Sequence, residues 1–105
     1  MVRGEVIRLR VPRGTRGSEQ RGARYGVIVQ ADELLALSMV LISPTSTAAP
    51  RRSFRPTIDL KGSPTRVLVE QTTAVSPDRL GESVGRLSAG ELSDLDKALA
   101  LMFGL

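Results

Sequence analysis

The apolar residues of this chain are parcelled into short runs, each closed within a few positions by glycine, proline or serine. This constrains the fold more than any bulk property. From Gly4 to Val11, "GEVIRLRV" alternates Val6, Arg8, Arg10 against Ile7, Leu9, Val11, the period of a half-buried strand with a charged face. "YGVIVQ" and "MVLISP" read as buried strands, the second stopped by Pro44. "TIDL", "TRVLVEQ" and "SVGRLS" read as further short strands. Between them, Pro12 to Ala23 and "PTSTAAPRRSFRP" have the composition of polar loops, and "ADELLALS" that of a short helical turn or loop. Ser76-Pro77 predicts one helical turn with serine as its cap and proline at its first position. Only the end is plainly helical: Ser88 to Glu91 spells a capping box, after which Leu92, Leu95, Leu99 and Met102 share a stripe with Ala98 beside them. The expected fold is mainly β with α: one domain over residues 1–105, a small SH3-like barrel with a C-terminal helix packed on it.

With 105 residues there is room for one core and no second lobe, so any cleft forms at the surface or between two copies. The chain has neither cysteine nor histidine. That removes disulfides, thiolate chemistry, the usual proton shuttle and the commonest metal ligand, leaving arginine, carboxylates, hydroxyls, Lys61 and Tyr25 for any catalysis. No metal or cofactor is expected. No apolar run approaches the ~20 residues that span a bilayer, and "MVRGEVIRLR" lacks a signal-like core, so no membrane role and a cytoplasmic location are expected. The formal charge of +4 is uneven: residues 1–24 carry seven arginines against Glu5 and Glu19. Forked guanidinium groups suit phosphate, which makes a polyanion the first partner to expect.

The two polar loops sharpen this. One enters "YGVIVQ" from a segment holding Glu19 and Arg24, and the other leaves "MVLISP" through Ser46 and Thr47. If the two strands pair antiparallel, both loops reach the same rim, and an arginine, a carboxylate and two hydroxyls converge there.

Those same residues carry a resemblance. "GSEQRGARYGVIVQ" is similar to the strand-entry segment of MazF/PemK-type toxins of bacterial toxin–antitoxin systems, in which Gly-Ser-Glu leads to an arginine and a buried strand. "RGEVIRL" resembles that family's first strand, "SPTST" its Pro-x-Thr/Ser segment, and "VLVEQ" with "TTAVSPDRLGESVGRLS" its later half. The likeness covers nearly the whole chain. It implies a small homodimeric ribonuclease that cuts single-stranded RNA at short sequences and is silenced by an acidic antitoxin. It also implies that Arg24 and the hydroxyl of Ser46 are the catalytic pair, with Glu19 and Thr47 nearby. Ser46 stands where threonine is usual, Tyr25 where the arginine is followed by proline, and "QADELLAL" replaces an asparagine-bearing segment. Arg13, Arg16 and Arg21 are expected on the face shared by RNA and antitoxin. Arg51, Arg52 and Arg55 are expected to track the RNA backbone, with Phe54 as a stacking surface.

The chemistry is workable on its own terms. Cleavage through the RNA's own 2′-hydroxyl needs a proton removed, charge spread over the phosphoryl oxygens and a proton returned to the leaving oxygen. Arg24 can stabilise the pentavalent phosphorus, and Ser46 and Thr47 can donate to its oxygens. Glu19 is a better proton acceptor than a guanidinium whose pKa is ~12.5 or above. Two other readings stand beside this one. The chain ends Phe103-Gly104-Leu105, similar to the C-terminal tripeptide on which gyrase-poisoning toxins of the CcdB type depend. A non-catalytic SH3-like RNA-binding module is the other.

Overall fold

The computed structural model describes residues 1–10 and 24–105. Among them seven strands and one long helix form: β1 (Glu5–Leu9), β2 (Arg24–Ile28), β3 (Val40–Ser46), β4 (Thr57–Leu60), β5 (Ser63–Val67), β6 (Thr73–Val75), β7 (Leu80–Arg86) and α1 (Ala89–Phe103). All the strand pairings are antiparallel, in the order β4-β5-β3-β2-β1-β7, with β6 also paired to β3. The sheet curls into a half-barrel carrying a C-terminal helix, which is the expected class.

β3 is the spine, and it changes neighbours along its length. Val40 to Ile42 lie against β6, Ile42 to Pro44 against β2, and Thr45 and Ser46 against β5. The sequence reading ended this strand at Pro44, yet it continues to Ser46. Pro44 falls between the stretches held by β6 and β5, where no ladder bond asks for its missing N–H, and its carbonyl still accepts from Leu68 N at 2.8 Å. At the same level Gly26 faces Pro44, and a Cβ on Gly26 would overlap Ile42 Cγ2. Only glycine lets β2 approach β3 this closely.

Two apolar clusters form. Val6, Val27, Ile58, Leu60, Val67 and Val69 pack with Leu95 and Ala98 of α1, while Ile7, Ile28, Val40, Ile42 and Val75 form the other. β1 therefore buries both of its faces at Val6 and Ile7, and only from Arg8 does one face turn outward. The simple alternation missed this because α1 and the β4–β5 hairpin cover the Val6 end of the supposedly polar face. The helix itself follows its pattern: Ser88 Oγ accepts from Glu91 N at 3.1 Å, and Glu91 Oε1 accepts from Ser88 N at 2.9 Å. Leu95 and Ala98 are buried, Leu92 and Leu99 half-buried, and Met102 lies at the exposed end of the stripe.

Two further departures are local. "TRVLVEQ" is not one strand, because β5 stops at Val67 and Val69–Gln71 form a 3₁₀ turn that tucks Val69 into the core. Thr72 closes this turn by donating to Val69 O at 2.8 Å and lies 2.7 Å from Ser43 Oγ, and β6 follows where no strand was anticipated. Elsewhere Asp32–Leu34 and Pro77–Arg79 make the short helical turns that their residues suggested.

Candidate active site

The β2–β3 ladder pairs Ile28 with Ile42, Val27 with Ser43 and Gly26 with Pro44. Just beyond the last ladder pair, Thr45 Oγ1 donates to Tyr25 O at 3.2 Å and keeps the two strands together toward their Arg24 and Ser46 ends. The antiparallel pairing of these two strands expected from the sequence is therefore present, while Glu19, the carboxylate expected at their rim, lies outside the described residues. Arg24, Ser46 and Thr47 all line one open cavity of about 620 Å³.

Ser46 occupies a particular electronic position. Its Oγ accepts from the backbone N–H of Ala48 at 3.2 Å and of Ala49 at 3.0 Å. Both lone pairs are thereby engaged, so what remains free is the hydroxyl hydrogen. Such a group is set up to donate to an anion and poorly set up to take a proton. Arg24 is exposed at the start of β2 and, among the described residues, forms no ion pair.

The rest of the wall deepens this character. Lys61 and Arg79 join Arg24, Ser63, Thr65 and Thr73 line the same cavity, and among the described lining residues there is no carboxylate. Arg79 was not singled out from the sequence, and Lys61 was named there only among the groups left for catalysis. Arg79 is distant in sequence and comes in because β7 pairs with β1, Arg79 Nε donating to Arg10 O at 3.2 Å. Lys61 arrives through the β4–β5 turn, where its backbone is left-handed (φ 53°) beside Gly62 (φ 84°). Its Nζ lies 3.5 Å from Tyr25 Oη and 5.3 Å from the centre of the Tyr25 ring. The sequence signal that could have found it is the two-residue "KG" link between "TIDL" and the next strand.

The other expected residues divide. Glu19, Arg13, Arg16 and Arg21 lie outside the described residues. Arg51 and Arg52 are exposed in the segment between β3 and β4. Arg55, expected on the RNA backbone, has its Nε 2.8 Å and its Nη2 2.6 Å from Glu70 Oε2, and its Nη1 3.2 Å from Pro50 O. Phe54, proposed as a stacking surface, packs against the core with Arg55 5.4 Å over its ring. Burial pushes the Glu70 carboxyl up, but the hydrogen bonds from Arg55 outweigh it and the net pKa lies below the usual 4.5.

Residues 2–103 match the family described as PemK-like, MazF-like toxin of type II toxin–antitoxin systems. The chain belongs to this toxin family. A Mycobacterium tuberculosis (strain H37Rv) protein named as a candidate toxin, Rv3098A, is 34% identical, the match covering 100% of this chain and 99% of that one. Among solved structures, an endoribonuclease in complex with its cognate antitoxin from a mycobacterial species superposes with a TM-score of 0.80 at 19% identity, covering 100% of this chain and 96% of that one. The M. tuberculosis toxin MazF-mt6 gives 0.78 at 19% identity over 96% of this chain and 97% of its own. MazF of Deinococcus radiodurans gives 0.76 at 19% over 100% and 97%. At such identities these structures speak for the PemK/MazF fold.

Among the described residues no three acidic side chains gather as a metal site would require, and no helix is long and apolar enough to cross a membrane.

Proposed function

We propose that this chain is the toxin of a type II toxin–antitoxin pair and an endoribonuclease that cuts single-stranded RNA without a metal, through the RNA's own 2′-hydroxyl. The observation that carries this reading is the β2–β3 register, which brings Arg24 and the Ser46–Thr47 hydroxyls to one cation-walled cavity. A scissile phosphate seated there meets a fixed positive charge and outward-donating hydroxyls, and both gain strength as negative charge builds on the phosphoryl oxygens. Glu19 takes the 2′-hydroxyl proton as the 2′-oxygen attacks phosphorus, Arg24 stabilises the pentavalent phosphorus and, as the acid, returns a proton to the 5′-oxygen as its bond to phosphorus breaks, Ser46 donates to a phosphoryl oxygen, and Thr47 assists. The products are a 2′,3′-cyclic phosphate and a 5′-hydroxyl. Residues 1–105 work as a single toxin domain in a homodimer, in the cytoplasm, where an acidic antitoxin competes with RNA for the basic face. The family and the antitoxin-bound mycobacterial neighbour support that pairing.

Cleavage of single-stranded RNA by the purified protein, in EDTA and with the cyclic phosphate identified by mass, tests the reading. It should fail when the scissile 2′-hydroxyl is replaced by hydrogen. Cutting of the deoxy-substituted strand, or dependence on a divalent ion, overturns the mechanism. Arrest of gyrase with no RNA cut would point instead to the exposed Phe103-Gly104-Leu105 end.

A further inference from the structure

A lysine at the first position of a two-residue hairpin turn is an outlier. Leu60 and Ser63 pair directly, so Lys61 and Gly62 alone close the β4–β5 hairpin, and both adopt positive φ. Such turns favour asparagine, aspartate or glycine at that first position, because a Cβ in the left-handed region crowds the backbone. Among the described residues Lys61 is the only non-glycine in this conformation. A disfavoured backbone kept at the wall of a cavity points to a task for its side chain.

The side chain's surroundings say which task. Lys61 is exposed, lines the same cavity as Arg24 and Ser46, and has no carboxylate partner among the described residues. What it has is Tyr25, whose ring and phenol oxygen steady the ammonium without neutralising it. One of its three N–H donors faces Tyr25 Oη, and two remain for a ligand. Arg24 and Lys61 reach the cavity from different elements, one from the start of β2 and the other from the β4–β5 turn.

We propose that Lys61, steadied by Tyr25, forms a second phosphate subsite that holds the RNA phosphate next to the scissile one. Lys61 is then a positioning residue acting on ground-state binding and register of the strand, while Arg24 acts on the transition state. The inference rests on the ribonuclease reading for the identity of its ligand, but its first test does not require cleavage.

That test is the salt dependence of binding to a mixed-sequence pool of single-stranded oligoribonucleotides. Asparagine tolerates the left-handed backbone, so Lys61→Asn should fold with an unchanged melting temperature while losing the charge. Its log Kd against log salt slope should be shallower than wild type by about 0.7, the value of one phosphate contact on a single strand. Lys61→Arg should restore the slope. Tyr25→Leu, which removes what steadies the ammonium, should weaken binding in the same direction. In cleavage, Lys61→Asn should raise KM about five- to tenfold with kcat within about twofold. An unchanged slope, or a loss confined to kcat, overturns the subsite. A Lys61-dependent slope in a protein that cuts no RNA would leave the subsite standing and remove the ribonuclease reading.

Discussion

Arg24 and Arg55 belong to the same basic, loop-flanked side of the sequence, yet the fold uses them in opposite ways. Arg55 is closed on itself: Glu70 takes two of its N–H groups, Pro50 O a third, and Phe54 lies under its plane. Arg24 stands exposed on a cavity with two other cations and a row of hydroxyls, and no carboxylate among the described lining residues. A guanidinium with its counter-charge built in holds loops together. One without it is open to a ligand that brings its own negative charge.

The contrast can be broken most sharply at Arg24. Arg24→Ala is expected to lower kcat by ~10² or more, with RNA affinity and melting temperature nearly unchanged, because the lost stabilisation exists only in the transition state. A matching loss of affinity in a binding titration would make Arg24 a docking residue like any other. Ser46→Ala should cost less, about tenfold, since Thr47 and other donors line the same wall, and Ser46→Thr should restore the rate. If single-turnover rates for Ser46→Ala equalled wild type, its hydroxyl would serve only the turn at Ala48 and Ala49.

Arg55→Ala should do the reverse of Arg24→Ala. It leaves Glu70 half-buried without its partner, and chemical denaturation should register a loss of about 1–2 kcal/mol while kcat per folded molecule stays put. An intact stability with a raised KM would return Arg55 to the RNA face. The smallest expected effect is on pH. Glu70 is held below the usual 4.5, as are Glu91, where hydrogen bonds from Ser88 and Asp59 outweigh burial, and Glu5, bonded to Ser83. Each such carboxylate binds fewer protons folded than unfolded, so its stabilising effect is complete above that usual value and fades as pH falls through the lowered folded pKa. Thermal melts should be level from pH 7 down to about 5 and decline below, and the decline should shrink in Glu70→Gln.

How much of this was legible in the sequence follows the range of the interactions involved. β1, β2, β4 and the capping box of α1 depend on local alternation and local hydrogen bonds, and they were readable from their own residues. So was the convergence of Arg24 with Ser46 and Thr47, once antiparallel pairing was assumed. Pro44 misled because its effect on a strand depends on which neighbour lies opposite, a non-local fact. Val69–Gln71 carried strand-like residues that the core pulled into a turn. The cavity's other cations come from a hairpin corner, which the two-residue "KG" link marks for Lys61, and from the pairing of β7 with β1, which no spacing motif announces for Arg79. Arg55 resembled its loop neighbours until Glu70, fifteen residues on, was found against it.

β3's change of neighbours has a consequence during synthesis. Arg24 leaves the ribosome early, but the strand that carries Ser46 lacks its second flank until residues 63–67 have followed, and β1 lacks its outer partner until residues 80–86 have. A partly made chain therefore displays the guanidinium with no fixed hydroxyl across from it. The wall of the cavity runs on to Arg79 and β1 gains its outer partner only with β7, so the cavity is complete only once the chain through residue 86 has been made.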